Sequence, residues 1–175
     1  MYYLDLFSIP VFIGDIDSQK INLNNKRFKK TWLSQMPSTY EQSNKEKQTL
    51  ENGEYLLKTI GNLLKEKIKH PFQLSLTNIW ENSYVKDDYQ EPHIHEDCDF
   101  SFIVYKKGEE GRTVFFNPIK NYLMFYKNIA HMFDGMFIPK CKKDQIIVFP
   151  SFLEHMVLKS TDHTTISGNL IFTKK

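Results

Sequence analysis

The stretch PHIHEDCDFSFIVY, residues 92–105, decides how this chain is read. Its second half, SFIVY, is a short apolar run rich in β-branched and aromatic residues, which marks a buried strand. Its first half sets His93 and His95 two apart, so on an extended chain both imidazoles leave the same face. Asp97 stays on that face if the strand continues. Imidazole nitrogens and a carboxylate oxygen suit iron, zinc, copper or nickel. A His-x-His pair is a weak signal alone and gains weight only with a further ligand from elsewhere. DQIIVFPSFLEHMV (144–157) offers one, because His155 follows a buried strand and the corner Phe149-Pro150.

Working outward, FQLSLTNIW (72–80), GRTVFF (111–116), GMFIP (135–139) and TISGNLIF (165–172) read as further strands. Turn residues such as Lys142-Lys143-Asp144 and Ser160-Thr161-Asp162 separate them. Strands at such short intervals argue for a barrel or sandwich. A double-stranded β-helix, a jelly-roll or cupin-like barrel, is the arrangement that carries residues 93–95 next to 155. Upstream, residues 2–13 suit an edge strand around Pro10. Residues 22–48 are polar and lysine-rich, with Phe28, Trp32, Leu33 and Met36 as their few anchors. Over 45–69 the period becomes helical: Leu50, Leu57, Ile60, Leu64 and Ile68 fall three or four apart, and Leu56 and Leu63 widen the stripe. Ser43 and Asn44 are candidate caps with Glu46 in the first turn, and His70-Pro71 ends the segment. The expectation is one domain over 1–175, mainly β. An N-terminal strand and helical support (1–71) precede a double-stranded β-helix core (72–175).

Composition narrows the function. A chain of 175 residues, 41% hydrophobic and with 14 Phe, 9 Tyr and 2 Trp, can bury a bulky β-rich core. A net charge of +2 gives no argument for a nucleic-acid partner. The run Lys26, Arg27, Lys29, Lys30 reads as a solvated face. Two cysteines, Cys98 and Cys141, make neither a disulfide framework nor a cysteine zinc site. No run approaches the roughly 18 apolar residues of a membrane span, and the opening segment lacks a basic leader region. A soluble, cytoplasmic protein is therefore expected, and the sequence is silent on oligomeric state.

In order and spacing the chain resembles the iron(II)/2-oxoglutarate-dependent oxygenases, and within them a small group found in bacteria and phages. The resemblance runs through NIWEN (78–82), PHIHEDCDFSFIVY, EEGRTVFFNP (109–118), KDQIIVFPSFLEH (143–155) and TISGNLIF, and weakens over 20–70. It implies a mononuclear Fe(II) site that uses 2-oxoglutarate and O₂ to hydroxylate a prime substrate the sequence does not name. Oxidative decarboxylation of the co-substrate would yield succinate and CO₂, while the protein binds, orients and excludes water.

Three departures from the family pattern matter. Many relatives carry His-x-Asp, whereas His95 stands where the carboxylate belongs. Two ligand sets therefore stay open: His93, His95 and His155, or His95, Asp97 and His155. The first leaves the site one negative charge poorer. Second, the arginine that usually clamps the distal carboxylate of 2-oxoglutarate is absent from the last strand. His163 aligns there, with Lys159 and Thr165 nearby, and Arg112 is a substitute from another strand. Tyr105 and Asn169 complete the expected co-substrate contacts. Third, Gly168 replaces a bulkier residue, which would widen the mouth of the site. Two other function classes fit a barrel of this kind: a cupin-like, metal-dependent small-molecule binder, and an inactive interaction or virion-associated domain. His131, His70 and the Asp87-Asp88 pair read as structural.

Overall fold

The structure, a computed structural model, describes residues 8–24, 26–30, 36–43, 50–108, 112–126, 128–159 and 162–175. Trp32, Leu33, Asn44, Glu46 and the Ser160-Thr161 turn lie outside them. In chain order the strands are β1 (Phe12–Asp15), β2 (Asn22–Leu23), β3 (Lys29–Lys30), β4 (Pro37–Ser38) and β5 (Leu50–Glu51). Then come β6 (Phe72–Tyr84), β7 (Gln90–His93), β8 (Phe100–Lys107) and β9 (Thr113–Phe116), followed by β10 (Met136–Phe137), β11 (Gln145–Pro150), β12 (His155–Val157) and β13 (His163–Lys174). The helices are α1 (Tyr40–Ser43), α2 (Gly53–Leu64) and α3 (Lys120–Leu123).

Two sheets carry the architecture. One has seven strands in the order β1-β11-β8-β13-β6-β4-β3, and the other four in the order β10-β9-β12-β7. From β6 onward the chain passes repeatedly from one sheet to the other: β6, β8, β11 and β13 lie in the larger sheet, β7, β9, β10 and β12 in the smaller. That alternation winds two antiparallel sheets into a double-stranded β-helix, mainly β as the sequence implies, although the sheets do not close into a continuous barrel. The edge strand expected near the N-terminus is β1, which begins two residues after Pro10 and pairs Phe12 with Val148.

The larger sheet is covered on both sides, which is why its strands read as unbroken apolar runs. On β8, β11 and β13 alternate residues Phe102, Val104, Ile146, Val148, Ile166 and Leu170 point to the outer face. There they meet the buried stripe Leu56, Ile60 and Leu64 of α2, four residues apart along one helix face. The other residues, Ile103, Tyr105, Ile147 and Phe149, point inward and pack against Phe115 of the smaller sheet and Leu153. Each such fully buried side chain contributes about 1.5–3 kcal/mol relative to exposure.

Two readings need correction. The helix expected over 45–69 covers only Gly53–Leu64, because Leu50–Glu51 are extended and pair with Asn22–Leu23. Asn52, between them, has φ 58°, a left-handed conformation that an α-helix cannot run through. Gly168, expected to open the mouth of the site, instead faces the outer core. A Cβ there would lie 2.6 Å from the Phe102 ring and 2.7 Å from the Asn78 carbonyl oxygen. Close packing of the two strands requires glycine, and the residue borders no cavity of the site.

Candidate metal centre

Antiparallel pairing sets the first two histidines side by side. His93 closes β7, His155 opens β12, and the register puts them directly opposite each other. Such pairs hold their Cβ atoms within about 5.5 Å, so the rings meet. Their centroids are 4.2 Å apart. His95 lies just past the end of β7, and its backbone N–H donates to the Ser151 carbonyl at 3.0 Å. Its ring centroid is 5.2 Å from that of His93 and 5.1 Å from that of His155. The three rings offer one ligand atom each, all within 4.8 Å of one another, and no other such group occurs among the described residues.

Each ring is held by its Nδ1. The His93 Nδ1–H donates to the Glu91 carbonyl at 2.7 Å, and that of His155 to the Leu153 carbonyl at 3.0 Å. The His95 Nδ1–H donates to Asn169 Oδ1 at 2.5 Å, with Ser101 Oγ 3.0 Å away. These carbonyl oxygens can only accept, so in each ring Nδ1 carries the proton and Nε2 keeps its lone pair. The Gln90 side-chain nitrogen lies 3.3 Å from His93 Nε2, at the border of the site. Ser101 also donates to Asn169 Oδ1 at 2.9 Å and lies 2.9 Å from Ser151 Oγ, so the support beneath His95 is a buried polar network.

Burial keeps the rings neutral. It pushes His93 below its ordinary value, with the Glu91 carbonyl opposing. Burial brings His95 down to about 4, against the hydrogen bond it donates to Asn169 and with help from His93. His155, only 3% exposed behind Phe115 and Phe149, falls well below the usual range through burial, then through the neighbouring charges of His93 and His95. Three neutral imidazoles whose ligand atoms lie within 4.8 Å of one another are a donor set that fits one divalent transition metal.

The histidines sit where two hollows meet. The inner one, about 20 Å³, is bordered by polar residues on the smaller sheet (Thr113) and the larger (Asn82, Tyr84, His163, Thr165, Ser167). The outer one is a groove of about 530 Å³ whose wall includes Met36, Tyr40, Trp80, Pro92 and Ile94. Trp80, Asn82, Gln90, His93 and His95 border both. The inner hollow has room for about one water, and of the two only the groove has the volume of a small organic molecule.

The remaining site expectations divide. His163 borders the inner hollow and stacks on Tyr84 with centroids 4.0 Å apart. Tyr105 lies behind that wall, its hydroxyl 2.9 Å from the Thr113 hydroxyl. Asn169 bonds to His95. Asp97 is exposed, has φ 57° and falls outside the group of three rings, because the strand stops before it. Arg112 and Lys159 are exposed, the guanidinium donating to the Lys159 carbonyl at 3.0 Å, and neither borders a hollow. The period of two explains Arg112: its neighbour Thr113 faces in. No arginine or lysine borders either hollow among the described residues. Sequence reasoning missed Asn82, Gln90, Ser101 and Thr113. The one available signal was the alternation His163, Thr165, Ser167, Asn169 on the last strand, a polar row on a strand whose other face is apolar.

Residues 78–167, just over half of the chain, match the family model described as "Putative 2OG-Fe(II) oxygenase". No curated protein matches. Similar solved structures include a prolyl-4-hydroxylase of Pseudomonas putida, at 13% identity over 89% of this chain and 79% of that one, with a TM-score of 0.50. Another is an oxidoreductase of the 2OG-Fe(II) oxygenase family from Burkholderia pseudomallei, at 14% identity over 90% and 71%, TM-score 0.48. A third is HygX from Streptomyces hygroscopicus with nickel and 2-oxoglutarate bound, at 8% identity over 83% and 73%, TM-score 0.49. At such identities the Pseudomonas likeness speaks to the fold alone.

Proposed function

The chain belongs to this 2OG-Fe(II) oxygenase family, and from that premise we propose that His93, His95 and His155 hold its iron through their Nε2 atoms. Membership makes it an oxygenase that uses Fe(II), 2-oxoglutarate and O₂, and it displaces the readings of a cupin-like binder and an inactive domain. When bound, the iron with its co-substrate supplies the oxidising chemistry, coupling decarboxylation of 2-oxoglutarate to succinate and CO₂ with oxidation of a prime substrate. The observation that carries the ligand assignment is that each Nδ1 lies on an oxygen acceptor while the three rings offer ligand atoms within 4.8 Å of one another.

The chain's own residues do the rest. Glu91, Leu153 and Asn169 fix the tautomers, so the ligands need no proton rearrangement before binding. Phe115 and Phe149 exclude water from behind His155. The polar wall of the inner hollow receives the distal carboxylate of 2-oxoglutarate, with His163 as its basic member and Tyr84, Thr113, Thr165 and Ser167 as hydroxyl donors. Admission of the five-carbon diacid requires this wall to open toward the groove. The groove beside Trp80 and Tyr40 takes the prime substrate. Hydroxylation is the outcome we assign to the oxidation, in a cytoplasmic setting and a single domain.

Metal analysis and succinate release test this together. The purified chain should bind one Fe(II) and release succinate from 2-oxoglutarate, and His155→Ala should retain neither property while keeping the circular-dichroism spectrum of the parent. Full iron occupancy in that variant would remove the assignment.

A further inference from the structure

The segment from α3 through β10 presents apolar side chains to solvent on a scale the site does not need. Phe125 is 84% exposed, Met124 72%, Met132 70% and Tyr122 68%, and Tyr126, Met136 and Phe137 are each more than half exposed. With about 150–250 Å² on a large side chain, these seven present roughly 900 Å² of apolar surface. A typical monomer's largest patch is about 300–600 Å². About 800 Å² per partner is what a stable protein–protein interface buries. The area therefore matches one side of a dimer interface.

Its place in the fold agrees. Among the described residues β10 is the terminal strand of the smaller sheet and pairs with β9 alone, so the patch includes a sheet edge. The groove beside the histidines opens next to β7, the strand at the opposite end of that sheet. The patch is thus not a wall of the substrate groove. Among the described residues of 120–137 the charged side chains are Lys120, which is already paired with Glu154, and Asp134. Across a two-fold axis the same patch meets itself, residue i on residue j and j on i, and flexible methionines beside aromatics can adapt to such a contact without any charge pattern.

We propose that this surface, centred on Tyr122–Tyr126 and β10, is the interface of a homodimer, with a second copy of the same chain as its occupant. Sedimentation equilibrium of the full chain should be run from about 1 to 100 μM, a series that detects association of micromolar affinity or tighter. The expected mass is twice the 20.8 kDa of one chain. Phe125→Glu combined with Met136→Lys should reduce it to that of a single chain, with unchanged circular dichroism and iron content. If that variant does not fold, Tyr122→Glu with Met132→Glu tests the same surface. A single-chain mass for the parent throughout the series would overturn the proposal, as would a double mass that persists in a folded variant. A single-chain species that floats with phosphatidylcholine–phosphatidylglycerol vesicles would overturn it in favour of a membrane-facing surface.

Discussion

The two faces of β13 are equally enclosed and chemically opposite. Outward, Ile166 and Leu170 enter a dry core beneath α2, and Gly168 lets Phe102 and the Asn78 carbonyl close in. Inward, His163, Thr165, Ser167 and Asn169 are just as buried yet polar, and they face the hollow and the histidines. Buried polar groups cost stability unless each finds a partner. The inward row therefore contributes little to holding the sheets together and depends on the outward face to stay in place. One face sets stability and the other sets chemistry, with successive residues of one strand divided between them.

Substitutions can break that division. The largest effect is expected on the outer face: Phe102→Ala should lower unfolding free energy by about 3–5 kcal/mol in a denaturant titration, with Fe(II) affinity of the remaining folded protein unchanged. A parallel fall in metal affinity would show that the faces are not independent. On the inner face Asn169→Ala should weaken Fe(II) binding by about 10–100-fold, as loss of a group that orients a metal-bound histidine does, and calorimetric titration reads this directly. Removing the basic member of the inner wall, His163→Ala, should weaken 2-oxoglutarate binding to the metal-loaded protein by about 10-fold, the equivalent of roughly 1.4 kcal/mol. Arg112→Ala should change it by less than about 2-fold, since the guanidinium points to solvent. Equal losses in these last two variants would move the carboxylate site elsewhere.

Acid provides a graded version of the same comparison. The three site histidines have depressed values in the folded, metal-free chain and about 6.5 when unfolded. Below pH 6.5 the unfolded state takes up the protons first, so stability falls as pH drops toward 4, by at most about 1.4 kcal/mol per pH unit for each group. Above pH 6.5 these groups impose no pH dependence. Thermal melts of the iron-free protein against pH check both halves, and iron should flatten the acid limb by holding the rings neutral.

How far the sequence reveals this division depends on how local each feature is. The strands covered on both faces were legible as apolar runs, and the spacing of His93 and His95 placed them on one side of the chain. The meeting of those residues with His155 followed only from a choice of fold, since it rests on pairing between β7 and β12. The part played by Asn169 was out of reach, because it depends on the register that sets it against Ser101 in β8. Leu50 deceived the helical reading: its spacing suits the stripe of α2, but the left-handed Asn52 separates it and pairing with Leu23 claims it. Asp97 deceived in the opposite way, since a period of two holds only while the strand lasts.

The central claim is that three imidazoles share one ion. X-ray absorption at the iron edge of the Fe(II)-loaded chain, compared with His93→Ala, tests it most directly, because imidazole rings are counted by their multiple scattering. The account predicts three in the parent and two in the variant. Two in the parent, left unchanged by that substitution, would contradict it and place His95, Asp97 and His155 around the metal.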